Sequence, residues 1–230
     1  MKVLKIRGYP ILSRKKGHQV FHLCSQNSHF NLCKKSKDFA STFLSEATPL
    51  STDADILRFA SDAVSIDGMY LEMGVWMGKT INFLAALNPN KVIHGFDSFQ
   101  GLPHDWERED GYCPKETFSL ENLPLVLQNV TLYKGWFNKT LPTFKKGVLQ
   151  NTPIALLHID CDLYSSTADV FNYLGENIVK GTVIIFDELY NFPGFEEHEL
   201  KAFSEFCEKK NVHPEYLAYN VYHQQVVVQF

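Results

Sequence analysis

Residues 69–80 read MYLEMGVWMGKT, and no other stretch limits the fold of this chain as tightly. An apolar run ends in Glu72. A turn with two spaced glycines follows, Gly74-x-x-x-Gly78, and at Thr80 a helical pattern begins. A second apolar run, residues 91–96, ends in Asp97. The interval from Gly74 to Asp97 is that of one strand-helix-strand unit. Such a unit builds nucleotide-type cofactor sites: the glycines admit close backbone approach, and the acid after the second strand can accept both hydroxyls of a ribose.

The spacing also discriminates between cofactors. A dinucleotide fingerprint needs three glycines, the first two separated by one residue, so that a pyrophosphate can sit on the helix N-terminus. Position 76 is Trp, which removes that approach and argues against a dehydrogenase. Gly78-Lys79-Thr80 ends like a phosphate loop, but the preceding glycine is one residue too close. An acid before a single glycine pair suits a cofactor with an amino-acid end and no phosphate, and S-adenosylmethionine fits. Glu72 would face its ammonium. A glycine pair that serves only close packing of strand and helix is the competing explanation.

The rest of the chain continues the alternation. Strands are expected at 69–73, 91–96, 130–134, 154–159, 181–186, 214–220 and 225–230, and helices at 53–63, 79–87, 138–147, 165–178 and 196–210. Ser165-Ser166-Thr167 reads as a helix start, and Gly181 as the stop before a strand. Fully apolar strands such as 182–186 belong to parallel sheets covered on both faces. The expected fold is therefore α/β: a doubly wound, mostly parallel, seven-stranded Rossmann-like sheet with helices on both faces. The connection 98–129 is rich in Pro, Gly and aromatics and lies where active-site loops occur. Net charge divides unevenly, with +8 in residues 1–40 and −12 in residues 41–230. Residues 1–50 are read as a basic arm or lid and 51–230 as the catalytic domain. The arm carries no nucleic-acid motif and the body is acidic, so no nucleic-acid partner is expected. No apolar run approaches the ~20 residues of a membrane span. Five cysteines without metal-type spacing, and no apolar leader, fit reduced thiols in the cytoplasm.

In a doubly wound sheet ligands bind at the carboxyl ends of the strands. Four strands here end in acids: Glu72, Asp97, Asp160 and Asp187. Residues 158–164, HIDCDLY, follow one buried strand, and residues 186–190, FDELY, follow the next. Asp160, Asp162, Asp187 and Glu188 can converge there. Three carboxylates and water make an octahedral oxygen site suited to Mg²⁺ or Mn²⁺. Zinc is disfavoured: Cys161 points away from its neighbours, and only His158 offers nitrogen. His158 reads as a satisfied core histidine and is left out of the site. The competing explanation for the acids is helix capping or solvation of the sheet edge.

Taken in order, EMGVWMG (72–78), FDSFQGLP (96–103), GWFNKTLP (135–142), HIDCDLY (158–164) and FDE (186–188) resemble the macrocin-type sugar O-methyltransferases. These are class I, metal-dependent users of S-adenosylmethionine. The resemblance covers roughly residues 53–230. It implies that Glu72, Gly74 and Gly78 line the methionine end of the cofactor. Asp97 holds the ribose with Ser98 beside it, and Gly135, Trp136 and Phe137 flank the adenine. Asp160, which also borders the cofactor, binds Mg²⁺ with Asp187 and Glu188. Asp162 is the general base, with Asp160 the other catalytic acid. Glu188 departs from the antibiotic-pathway members, which carry a second aspartate, and residues 1–50 are unlike theirs.

The expected function is methyl transfer from S-adenosylmethionine to a hydroxyl of a sugar or glycosylated small molecule. Trp106, Trp136 and the loop 98–129 are expected to wall off water. A homodimer is the commonest assembly for such a chain and stays open. A metal-dependent hydrolase using the acids alone, or a non-catalytic cofactor-binding protein acting through its basic arm, would use only half of these motifs.

Overall fold

Alternating apolar runs and amphipathic stretches fold as their periods dictate. A computed structural model describes residues 34–108 and 111–230, and the backbone of 5–6 and 9–10. The strands β1 (Lys5–Ile6) and β2 (Tyr9–Pro10) form a short hairpin. Then come α1 (Lys34–Phe43), β3 (Thr48–Leu50), α2 (Asp53–Ala63), β4 (Met69–Met73), α3 (Lys79–Leu87) and β5 (Ile93–Asp97). A second hairpin, β6 (Trp106–Arg108) and β7 (Gly111–Cys113), precedes β8 (Val130–Lys134) and α4 (Phe137–Phe144). The chain ends through β9 (Ile154–Ile159), α5 (Tyr164–Leu174), β10 (Val183–Phe186), α6 (Glu199–Lys210), β11 (Glu215–Asn220) and β12 (Val226–Gln229).

Eight strands form the main sheet in the order β3-β11-β12-β10-β9-β4-β5-β8. Only β12 is antiparallel to its neighbours. The seven expected strands are present. The eighth, β3, pairs in parallel with β11 at the edge. Three residues are too few to show a period, so the sequence carried no sign of it. From β4 the chain winds out through β5 to β8, then returns to place β9 on the other side of β4. The reversal between β4 and β9 is the topological switch point, where such sheets open a crevice.

The strands alternate between two apolar layers. Leu71, Met73, Leu157, Ile159, Ile184 and Phe186 point into one, which α4, α5 and α6 cover through Leu141, Phe144, Phe171, Leu174, Phe203 and Phe206. Tyr70, Leu156, Val183 and Ile185 point into the other, covered by α2 and α3 through Ile56, Leu57, Ile81 and Leu84. With a period of two, Glu72, His158, Asp160 and Asp187 continue the second column past its apolar end.

Four local readings differ. Residues 34–50 are not a loose arm: Phe39 of α1 is buried against Tyr190 and Phe195, and β3 extends the sheet. Residues 34–50 thus pack with the sheet, and apart from the β1–β2 backbone the remainder of the expected arm lies outside the described residues. Helix α5 starts at Tyr164 with Leu163 as its N-cap, so the Ser165-Ser166-Thr167 run occupies the first turn and caps nothing. It stops at Leu174, short of the expected 178, and the residue after it is a glycine whose Cβ would run into the Phe206 ring. The helix expected over 138–147 ends at Phe144 and passes into a π turn, Lys145–Leu149, after Pro142 removes a rung of the ladder. No helix among the described residues is long and apolar enough to cross a membrane.

Leu157 is fully buried on the central strand β9. Leu157→Ala removes that packing and is expected to lower stability by about 2–5 kcal/mol. Chemical denaturation measures it, and a loss below about 1 kcal/mol would show that β9 is not the centre of the core.

Candidate functional site

Gly74 leaves β4 at φ 90°. A Cβ there would fall on the Asp160 carbonyl oxygen, so only glycine lets the β4 turn and the β9 loop touch. The turn is held from the next strand. Asp97 Oδ2 accepts the backbone N–H groups of Val75 and Trp76, both at 2.8 Å, and Oδ1 accepts that of Phe99 at 2.6 Å. Trp76 sits at φ 43°, a conformation costing about 1–3 kcal/mol that these charge-assisted bonds offset. Asp97 thus organises the turn and still borders the cavity.

That cavity, about 390 Å³, opens at the switch point. One half is lined by Gly74, Val75, Trp76, Asp97, Ser98, Phe118, Gly135, Trp136 and Phe137. Trp76 and Phe118 meet edge to face there, with ring centroids 5.3 Å apart. The other half is lined by Asp160, Asp162, Asp187, Glu188, His104, Ser165, Asp169 and the 223–225 turn. Among the described residues its wall contains no Lys or Arg.

Most residues singled out from the sequence reach this wall, but three do not. Glu72 is fully buried behind it, its Oε1 accepting from Thr80 Oγ1 at 2.9 Å and its Oε2 meeting His158 Nδ1 at 3.0 Å. It braces the site from below and is not part of the cavity wall. Gly78 packs against Pro124 and Asn82. Trp106 is also no wall: it is fully buried, with its indole edge-on to Phe192 and His198, and anchors the β6–β7 hairpin.

The acids fall into two groups. An oxygen of Asp160, an oxygen of Asp187 and a ring nitrogen of His158 lie within 4.8 Å of one another. Gln225 Nε2 donates to Asp187 Oδ1 at 3.0 Å, and Asn220 holds Gln225 in turn at 2.8 Å. Glu188 is not in that compact group. Its backbone N–H donates to Glu199 Oε2 at 3.2 Å, and its own carboxyl is buried. Asp162 is nearly buried at φ 65°, an uncommon conformation that turns it into the cavity wall. His158 read from the sequence as a core histidine outside the site, and Gln225 and Glu199 went unread. Alternation from Asp160 could have flagged His158, but only the fold brings in the other two.

Burial, then the neighbouring Asp187 carboxylate, push Asp160 and Glu188 well above the usual carboxylate range. Burial disfavours charge on His158 as well, yet the Asp187 and Glu72 carboxylates on either side outweigh it and raise its pKa well above the ordinary value. The site is an over-full carboxylate cluster with a single imidazole beneath it, a donor set that fits a divalent cation.

The sequence and the fold have relatives. The family profile for Macrocin-O-methyltransferase (TylF) matches residues 56–218. Demethyldecarbamoylnovobiocin O-methyltransferase of Streptomyces niveus is 28% identical over 152 residues, which are 56% of this chain and 55% of that protein. The 8-demethyl-8-(2,3-dimethoxy-alpha-L-rhamnosyl)-tetracenomycin-C 4'-O-methyltransferase of Streptomyces olivaceus is 29% identical over 158 residues, 58% of this chain and 59% of that one. The chain spans a little over half the length of these curated relatives. In fold it resembles the O-methyltransferase NovP, with TM-score 0.59 and 24% identity over 76% of this chain and 78% of that one. The calicheamicin methyltransferase CalS11 gives TM-score 0.59 and 21% identity over 86% and 81%.

The raised groups set a sign. Asp160 and Glu188 bind protons more tightly folded than unfolded, so stability falls as pH rises from the unfolded carboxylate value of about 4 through their folded values. His158 adds the same sign, its contribution being lost as pH rises through its folded value. In chelator, the melting temperature is expected to climb as pH is lowered from about 8 to about 5.5. A flat or opposite profile by scanning calorimetry would contradict the crowded-acid geometry.

Proposed function

The chain belongs to the macrocin O-methyltransferase family, and from that premise we propose that it transfers a methyl group from S-adenosylmethionine to a hydroxyl of a sugar or glycosylated small molecule. One observation carries the reading: a single cavity joins a cofactor-type half, built on Gly74, Asp97 and the Gly135–Phe137 turn, to an acid half. A hydrolase would need only the second half. The names of the two Streptomyces relatives, both O-methyltransferases and one acting on a rhamnosyl group, support the sugar-type acceptor.

The cofactor half suits a nucleoside with an amino-acid tail. Asp97 Oδ1 accepts one backbone bond and retains capacity for a ribose hydroxyl, while Trp136 and Phe137 offer an aromatic wall for adenine. When bound, S-adenosylmethionine supplies an electrophilic methyl on a sulfonium. A divalent cation such as Mg²⁺ or Mn²⁺, held by Asp160 and Asp187, would make a coordinated hydroxyl easier to deprotonate. This chain's own work is to orient the acceptor and take its proton. Asp162 is the base: the acceptor oxygen forms the O–CH₃ bond as the methyl–sulfur bond breaks, the electron pair of that bond stays on sulfur to leave the neutral thioether S-adenosylhomocysteine, and the hydroxyl proton passes to the Asp162 carboxylate. Trp76, Phe118 and Trp136 exclude water from the transfer.

The test is transfer of labelled methyl from S-adenosylmethionine to a panel of methyl glycosides and phenols. Asp162→Asn is expected to lower kcat by about 10²–10⁴ with cofactor affinity unchanged. Asp97→Ala is expected to weaken cofactor binding, each lost charge-assisted bond costing about 1.5–3 kcal/mol. Wild-type turnover in Asp162→Asn would remove the base. Unchanged affinity in Asp97→Ala would remove the ribose contact.

A further inference from the structure

The acid half of the cavity continues past Asp162 along one face of α5, and the mechanism above gives that stretch nothing to do. Ser165 and Asp169 stand one helical turn apart on α5, and both line the wall. His104 meets them from the loop before β6. Its Nδ1 lies 2.9 Å from the backbone carbonyl oxygen of Asp105, which can only accept, so Nδ1 carries the ring proton. In the neutral ring Nε2 then accepts the Ser165 hydroxyl proton at 3.0 Å. The hydrogen of Ser165 Oγ is thus committed, and the oxygen offers a ligand only its lone pairs. Asp169 also offers only lone pairs. Its carboxylate is half-buried and, among the described residues, has no hydrogen bond or ion pair. Burial alone pushes its pKa above the ordinary carboxylate value. Deeper in the same half, Glu188 lines the wall with its Oε2 buried and without a hydrogen-bond partner among the described residues. The bases on this wall are the imidazoles of His104, already engaged, and His223, with no Lys or Arg among the described residues.

A wall that presents acceptors and negative charge fits a ligand that brings hydrogens and positive charge. A phosphate there would face carboxylates with no Lys or Arg to balance it, and such like-charge juxtaposition is costly. A neutral glycoside would leave the half-buried Asp169 carboxylate uncompensated. We propose that the methyl acceptor is an amino sugar, with its ammonium held by Asp169 and Ser165 while a hydroxyl of the same unit lies at Asp162. Side chains one turn apart stand about 5–6 Å from each other at Cβ, a gap that an ammonium bridges by donating to both. The protonated amine has no lone pair, so it is a handle and not the methylated atom. The methyl still passes from sulfur to the hydroxyl oxygen, the electron pair stays on sulfur, and Asp162 takes the hydroxyl proton. The proposal rests on the methyl-transfer reading for the fate of that hydroxyl, whereas the ammonium site stands on the wall residues alone.

The experiment uses the full chain with Mg²⁺ present and a panel of methyl glycosides, each bearing one free amine at a different ring carbon. Their N-acetylated forms, the parent neutral glycosides and a nucleoside diphosphate sugar are compared with them. Transfer of labelled methyl from S-adenosylmethionine gives kcat/KM for each. At least one amine is expected to exceed its N-acetylated form by about 10-fold or more. Asp169→Asn is expected to remove that preference through KM and not through kcat, and Asp169→Glu to keep part of it. Calorimetry of the same amines in saturating S-adenosylhomocysteine reads binding without chemistry, and the melting temperature shows that each variant is folded. Faster transfer to N-acetylated, neutral or phosphorylated acceptors would overturn the proposal. So would a preference for the amine that survives Asp169→Asn, or failure of every amine to bind. Amine binding that depends on Asp169, with no methyl transfer to any member of the panel, would uphold the ammonium site and contradict the methyl-transfer reading.

Discussion

The buried chain Glu72–His158–Asp187 is the constraint on which the site depends. It crosses three neighbouring strands, β4, β9 and β10, at the point where the apolar columns end and the acids begin. Without the imidazole, Glu72, Asp160 and Asp187 would share one face of the sheet with no Lys or Arg among the described residues of the cavity wall to offset them. Breaking a buried pair by removing one partner typically costs about 3–5 kcal/mol, because an uncompensated charge stays behind. His158 therefore sets how many carboxylates this sheet edge can carry. Gln225 and Glu199, from the last hairpin and the last helix, extend the brace to Asp187 and to the Glu188 backbone.

The second constraint is the contact between two turns. Gly74 touches the carbonyl of Asp160, and Asp97 holds the Val75 and Trp76 amides. The cofactor half and the acid half of the cavity are thus one unit of backbone. A ligand that draws on Asp97 acts on the turn that touches the Asp160 loop. Under the proposed function this links placement of a methyl donor to placement of the acids, through contacts that are short and local.

Much of this was legible because buried parallel strands read as plain apolar runs. The acid that ends each run falls at the ligand edge for topological reasons, so Asp97, Asp160 and Asp187 could be placed without coordinates. What escaped was tertiary. Glu72 looks like a ligand contact in the sequence, but its partner His158 comes from a strand 86 residues later and draws it beneath the wall. Trp106 looks like a lid residue, but Phe192 and His198 bury it. β3 is too short for periodicity, and α1 gains its place from Phe39 packing on aromatics near the other end of the chain. Gln225 stands beside β12 with no local sign of its role.

The central claim is that one cavity at the switch point serves both a methionine-type nucleoside cofactor and a cation-bearing acid cluster. Isothermal calorimetry of S-adenosylhomocysteine with the wild-type chain, in chelator and in Mn²⁺, tests it most directly. The account predicts binding in both conditions, at micromolar dissociation constants, with Mn²⁺ changing the affinity because the two halves share the Gly74–Asp160 contact. Absence of binding in either condition would contradict the account and leave the acids without a cofactor to serve.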